Sequence, residues 1–166
     1  MPVFIEPEGI HIPEGDFLMG SENGGRNETP IHRVWVDVFA IAKYPVTNRE
    51  YALFMEMTGH SPPPFWNEPK FQHPDVPLVG PSWYDAVAYC KWLQDLTNKP
   101  YRLPTEAERE KASRGGLEGC DYPWGNGATN FPVTQNPLLG KMRLIQDQCR
   151  KMKRPGQHHS RKLAKR

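Results

Sequence analysis

Three cysteines are the residues best suited to redox or metal chemistry in this chain: Cys90, Cys120 and Cys149. Cys90 falls on an apolar helical stripe, which predicts a buried, structural thiol. Cys120 follows a glycine in a loop, and we expect it to be exposed. Cys149 precedes an arginine, and cationic neighbours can lower the pKa of a thiol, but nothing in the sequence positions a partner thiol beside it. None of the three is predicted to be catalytic.

The six histidines do not form a ligand set that can be recognised from spacing. They are His11, His32, His60, His73, His158 and His159. The adjacent pair near the end of the chain can bind a metal ion weakly, and no H-x-x-x-H spacing occurs. We therefore predict no metal site.

Arg102 and Glu106 form a charged pair that could contact a substrate. The structural interpretation is stronger, because an arginine just before a capped helix usually pairs with the acidic residues of that helix. Charged pairs near a surface are also common and weak. We expect Arg102 to fix the turn into the helix.

Three predicted helices begin with the same capping device. A Ser or Thr side chain accepts a hydrogen bond from a free N–H of the first turn, and an acidic residue three positions later reaches back to the cap. The pairs are Thr47 with Glu50, Ser82 with Asp85, and Thr105 with Glu108. Gly59, Asn98 and Gly115 are the predicted helix ends, since glycine and asparagine adopt the left-handed conformation at low cost.

Strands and a long loop complete the predicted elements. Residues 9–20 predict a β-hairpin around the turn Pro13–Asp16, and residues 31–41 predict a strand whose buried face includes Val34, Val36 and Val38. The proline-rich residues 60–81 predict a long loop that packs over the body of the domain.

Six sequence blocks resemble the formylglycine-generating (sulfatase-modifying factor) domain family, which also includes the sulfoxide-forming enzymes of ergothioneine biosynthesis. The blocks are residues 15–21 (GDFLMGS), 28–34 (ETPIHRV), 43–48 (KYPVTN), 82–86 (SWYDA), 101–116 (YRLPTEAEREKASRGG) and 122–126 (YPWGN). The resemblance covers about residues 10 to 126. It departs at Arg109, where the family usually has tryptophan.

The resemblance implies an α+β fold: an irregular, loop-rich body related to C-type lectins, here incomplete on its C-terminal side. Composition alone supports a loop-rich α+β chain, with 18 prolines and 14 glycines among 166 residues. The implied domains are residues 1–126, the N-terminal part of a sulfatase-modifying factor domain, and residues 127–166, a divergent basic tail that we expect to be disordered.

In the family, formylglycine formation uses a pair of cysteines in a late segment rich in Arg-Gly-Gly-Ser-Trp, and these thiols bind copper that activates oxygen. The ergothioneine-type relatives hold iron on a separate helical domain, and calcium is a further family metal. This sequence has neither feature. The resemblance therefore implies no catalytic residue, no metal ligand and no expected cofactor in this chain, and its cofactor-binding residues are unknown.

Charge separates the two predicted parts. Residues 141–166 hold ten Lys and Arg and one acidic residue, a net +9, whereas residues 1–140 carry a net −7. The basic tail has no aromatic residue after Phe131 and so offers no base-stacking platform, and no specific nucleic-acid binding is expected. The absence of a long apolar run and of a signal peptide, with an odd cysteine count, favours a cytoplasmic protein without a membrane partner.

Two functions remain open from the sequence. One is a truncated family member, inactive as it stands, of the class that oxidises a cysteine-containing peptide or a small sulfur substrate with a metal and oxygen. The alternative is a non-catalytic binding module on the same lectin-like body.

Overall fold

The computed structural model describes residues 4, 6–22 and 28–117. Cys120, Cys149 and the predicted segment 127–166 lie outside these residues. Within them the elements are four strands, three α-helices and one short 3-10 helix. This mixture of helices and small sheets confirms the predicted α+β class.

The strands build a bent two-stranded ribbon. They are β1 (Gly9–Ile12), β2 (Gly15–Met19), β3 (His32–Val36) and β4 (Phe39–Ala42). β1 pairs with β4, and β2 pairs with β3, both antiparallel. The register continues across the interruption, because Ile12 pairs with Phe39 and Gly15 pairs with Val36. Residues 13–14 therefore lie opposite residues 37–38.

The predicted hairpin over residues 9–20 is wrong in its pairing. The segment Pro13–Asp16 bends a strand instead of reversing it, so β1 and β2 each find their partner in the later strand. Pro13 has no N–H to give to a ladder, which explains why pairing stops at the bend. Turn-forming residues mark this bend, but they do not say which strand is the partner.

The predicted strand over residues 31–41 is interrupted at the same place, and its buried face changes there. Val36 is buried on β3, as predicted, but Val38 is 62% exposed. Beyond the bend, Phe39 and Ile41 of β4 are the partly buried residues. The alternation of buried residues therefore shifts by one position at the two-residue interruption, and strict alternation fails after Val36.

All three predicted helices are confirmed with their caps. They are α1 (Asn48–Thr58), α2 (Trp83–Thr97) and α3 (Glu106–Arg114), and each begins with a complete capping box. Gly59, Asn98 and Gly115 are the left-handed C-caps. Only part of the apolar surface of α2 faces the core, since Tyr89 and Leu93 are buried whereas Val87 and Leu96 are exposed.

The main core lies between α1, α2 and the proline-rich loop. Its buried members are Tyr51, Phe54, Leu78, Tyr89 and Leu93. Trp66 of the loop packs against this cluster, and Leu78 near the end of the loop belongs to it. The prediction that the loop packs over the body is therefore confirmed.

The buried Asn48 holds this loop to the start of α1. Its side-chain amide donates to the backbone carbonyl oxygens of Phe71 and His73, the second at 3.0 Å. The backbone N–H groups of Asn48 and Arg49, which have no partner inside the helix, donate to the carbonyls of Val76 and Pro74 at 3.1 and 2.9 Å. The loop thus caps the helix with its carbonyl groups. Phe71, which binds Asn48, is the last residue of the 3-10 turn Pro69–Phe71 in this loop.

Candidate functional site

The signature segment 101–116 forms α3 and its approach. Arg102 binds Glu108 through two hydrogen bonds, Nη1 to Oε2 at 2.7 Å and Nη2 to Oε1 at 2.5 Å. Glu108 Oε2 also accepts the backbone N–H of Thr105 at 2.7 Å. The structural interpretation of Arg102 is confirmed, but its partner is Glu108 and not the exposed Glu106.

Glu108 is 7% exposed and carries its charge into the protein. The hydrogen bonds from Arg102 lower the pKa of this carboxyl to about 2, against the opposing effect of burial and with further help from Thr105. A carboxyl group whose pKa lies this far below 7 stays ionised at pH 7 and does not easily exchange a proton. Glu108 therefore acts as a structural anchor and not as an acid or a base.

The second half of α3 fastens the helix to the ribbon. Lys111 Nζ donates to the carbonyl oxygens of Pro13 and Gly15, both at 2.8 Å, at the bend between β1 and β2. Arg114 donates to the carbonyl of Gly20 at 2.6 Å, and Glu110 accepts the N–H of Gly20 at 2.8 Å. These contacts place α3 across the ribbon.

Gly20 has a conformational reason to be glycine at this junction. Its φ is +102°, and a Cβ built there would collide with the backbone oxygen of Glu28. Any larger residue would have to move the chain that returns into β3. The contact of Gly20 with Glu110 and Arg114 thus depends on a backbone that only glycine adopts easily.

A groove of about 400 Å³ opens between the ribbon bend and the end of α3. Its walls are mostly apolar, and the charged side chains at its edge are Asp16, Lys111 and Arg114. Lys111 and Arg114 are engaged with backbone carbonyls, and Asp16 pairs with Arg33 at 2.7 Å. Leu117, the last described residue, also lines this groove.

Cys90 is a free thiol on α2 and is partly buried. Burial raises the pKa of this thiol, so it stays protonated and is a poor nucleophile and a poor metal ligand at neutral pH. It is somewhat more exposed than the sequence predicted. Arg109, at the departure from the family pattern, is half-buried on α3.

A polar contact that the sequence analysis missed joins α1 to α2. His60, which follows the C-cap of α1, donates from Nε2 to Asp85 Oδ1 at 2.9 Å. Asp85 is also the acidic residue of the α2 capping box, and its Oδ2 accepts the N–H of Ser82 at 2.7 Å. The capping pattern assigns Asp85 to its own helix, so nothing in the sequence pointed to His60.

Copper or iron would need donors that converge, and the described residues do not supply them. Across residues 4, 6–22 and 28–117, no three His, Cys, Asp or Glu side chains come together. Their single cysteine, Cys90, is held as a neutral thiol. The described part of the chain therefore brings together no set of three such donors for copper or iron.

The sequence profile of the family described as "Sulfatase-modifying factor enzyme 1-like domain" matches residues 2–160. The chain belongs to this family. The match runs past residue 126, where the six resembling sequence blocks end. The resemblance to formylglycine-generating proteins is therefore confirmed.

Curated relatives of this family member include active and inactive enzymes. It is 34% identical to the "Inactive C-alpha-formylglycine-generating enzyme 2" of Mus musculus, over 73% of this chain and 52% of that protein. It is 32% identical to the "Formylglycine-generating enzyme" of Thermomonospora curvata, over 72% of this chain and 53% of that protein. The chain thus spans about half the length of these two relatives.

A solved structure supports the fold of this family member. The structure of PvdO from Pseudomonas aeruginosa is similar with a TM-score of 0.62 and 30% sequence identity, over 78% of this chain and 53% of that chain. A kinase also carries a related segment: the "Serine/threonine-protein kinase pkn1" of Chlamydia caviae is 33% identical over 75% of this chain and 22% of its own length.

In the described part, no helix is long and apolar enough to cross a bilayer.

Proposed function

We propose that this protein is a family member of the formylglycine-generating type, the class that oxidises a cysteine-containing peptide or a small sulfur substrate with a metal and oxygen. The observation that carries the proposal is the family match over residues 2–160. In this proposal the described residues have a structural role: they hold the fold of the domain together. The charged groups of α3 that face the ribbon hold the chain's own backbone, as Lys111 and Arg114 do.

We further propose that this chain does not itself form formylglycine. The observation that supports this is the state of Cys90, the cysteine of the described part, because burial raises the pKa of its thiol and keeps it neutral. One relative, from Mus musculus, carries the name of an inactive enzyme. Copper is thus a family cofactor that this chain is not expected to hold.

The test is a formylglycine assay on the full chain. The protein is incubated with copper, oxygen and a cysteine-containing sulfatase peptide, and aldehyde is captured and measured by mass spectrometry, with the Thermomonospora curvata enzyme as the positive control. We expect no aldehyde. Aldehyde formation would overturn the inactivity proposal, and the variant Cys90→Ser then decides the role of the described residues. Loss of product in that variant would show that the described residues supply a reacting thiol.

We also propose two units, residues 1–126 and a basic segment of residues 127–166. The reversal of charge near the end of the chain supports this division.

A reducing, cytoplasmic location is proposed from the free thiol of Cys90. A thiol titration of the freshly purified, denatured protein checks whether the cysteines are reduced, since three reactive thiols are expected from the three cysteines.

A further inference from the structure

The hydroxyl of Tyr51 is the most conspicuous polar atom in the main core. Tyr51 is 1% exposed, and its Oη is fully enclosed without a hydrogen-bond partner among the described residues. The ring is fixed by its neighbours, since it stacks on Tyr89 at a centroid distance of 5.9 Å and meets Phe54 edge-on at 5.1 Å. The side chain therefore cannot swing out to find water.

An enclosed hydroxyl without a partner costs free energy, because it has lost its hydrogen bonds to solvent. Buried polar groups in proteins are almost always satisfied, either by another residue or by an ordered water molecule. The direction of such a bond is constrained here. Burial, and then the negative charge of Asp85, raise the pKa of Tyr51 to about 12, so the hydroxyl keeps its proton and can donate it.

Asp85 and His60 provide the polar side of the same region. The His60 ring meets the Tyr51 ring edge-on at 6.3 Å. Each oxygen of the Asp85 carboxylate accepts one hydrogen bond, from His60 and from Ser82 respectively. A carboxylate oxygen has a second lone pair, so Asp85 can accept a further bond. Burial opposes the charge of Asp85, yet its bonds to Ser82 and His60 lower the pKa of the carboxyl, and it remains an acceptor at neutral pH.

We propose that Tyr51, Asp85 and His60 enclose a binding site for one ordered water molecule, which accepts the Tyr51 hydroxyl and donates to the Asp85 carboxylate. A buried water needs two to four polar partners, and the Tyr51 hydroxyl and the Asp85 carboxylate supply two. It would join the N-terminal part of α1 to the first turn of α2 through the core. His60 already links the end of α1 to the same carboxylate, so the site makes Asp85 the common anchor of both contacts.

The direct test is a high-resolution crystal structure of the full chain, or NMR transfer of magnetisation from water to the Tyr51 hydroxyl proton. We expect one ordered water within about 3 Å of Tyr51 Oη. A well-defined Tyr51 hydroxyl with no water and no other partner would overturn the proposal, whatever the stability data show.

Denaturant unfolding gives an independent reading on conservative variants. If water bridges the site, Tyr51→Phe removes the hydrogen bond from the hydroxyl to the water, and its urea midpoint falls below that of the wild type. If the hydroxyl is dry, the same change removes an unsatisfied group, and the midpoint stays level or rises, which contradicts the proposal. Tyr89→Phe is the matched control, because its ring lies in the same core and its hydroxyl is not an enclosed, unpartnered atom.

A double-mutant comparison separates the bridge from general packing. The proposal predicts that Tyr51→Phe shifts the midpoint less in an Asp85→Ala background than in the wild type, because the acceptor for the water is then gone. Equal shifts in both backgrounds would mean that the hydroxyl and the carboxylate do not communicate, and would contradict a water shared between them.

Discussion

Glu108 shows how a single residue of the signature segment serves two structural purposes. One carboxylate caps α3 and pairs with Arg102, and it is almost fully buried while doing so. The capping pattern alone predicts that Thr105 matters more than Glu108. From the contacts in the structure we expect the reverse order, because loss of the Glu108 carboxylate removes the partner of both Arg102 and the Thr105 N–H.

The first prediction concerns this cap. Thr105→Ala is expected to lower the free energy of unfolding by about 1 kcal/mol, the usual cost of losing an N-cap side chain. Glu108→Ala is expected to cost more than Thr105→Ala. Chemical denaturation of both variants measures the order. Ser113→Ala is the control, since its hydroxyl only bonds back to the Arg109 carbonyl in the same helix. If Thr105→Ala costs as much as Glu108→Ala, the ion pair contributes nothing.

The second prediction is a pH dependence. The pKa of Glu108 in the folded protein is about 2, below its usual 4.5. A lowered carboxyl pKa contributes stability that is fully present above pH 4.5 and is lost as the pH falls towards 2. Glu108→Gln should therefore be less stable than the wild type at pH 7, and the difference should shrink below pH 4.5. Denaturant melts at pH 7 and pH 2.5 measure it. A difference that does not change with pH would show that the charge of Glu108 is not involved.

At the level of elements, helices were more predictable than strands, and the reason is physical. A capping box is complete within four residues, so Thr47, Ser82 and Thr105 could be recognised from the sequence, and all three caps are observed. Strand pairing is decided by residues distant in sequence. The bend at Pro13 carries the local marks of a turn, yet the ribbon continues through it.

Contacts that tie one element to another were also beyond the sequence analysis. Lys111 lies in a charged helix and looks solvent-exposed from its sequence, but it binds the carbonyls at the ribbon bend. His60 likewise looks like one of several scattered histidines. Only the packing of α1 against α2 brings it to Asp85. Such roles depend on geometry that no local pattern encodes.

The third prediction tests the link between α1 and the proline-rich loop. Asn48→Ala removes both bonds to the loop carbonyls of Phe71 and His73, and we expect it to cost about 1–3 kcal/mol, the penalty for leaving buried polar groups unpaired. Chemical denaturation measures this cost, and chymotrypsin should cut near Phe71 faster than in the wild type.

The neighbouring Arg49→Ala is the control for this experiment. Arg49 binds Asp75 at 2.8 Å, but both side chains are more than 60% exposed, so the pair should contribute less than about 1 kcal/mol. If the two variants lose the same stability, the loop is not held by the Asn48 amide.

For the whole molecule, the open question is where the folded unit ends. Every element described here lies between residues 9 and 114, and the core residues lie between 51 and 93. The family match nevertheless continues to residue 160. Charge argues for a division, because residues 141–166 carry +9 against −7 for residues 1–140.

The last prediction follows from the proposed division at residue 126. A chain that ends there should unfold at nearly the same urea midpoint as the full chain in high salt, because the core and the contacts of α3 with the ribbon are all retained. In low salt the full chain should be slightly more stable, since its basic segment is attracted to the acidic remainder, and salt screens such attraction beyond about 8–10 Å at near-physiological ionic strength. Urea melts of both chains at two salt concentrations measure this. A shortened chain that loses stability equally at both salts would show that residues beyond 126 pack into the domain, and that the boundary belongs nearer the end of the family match.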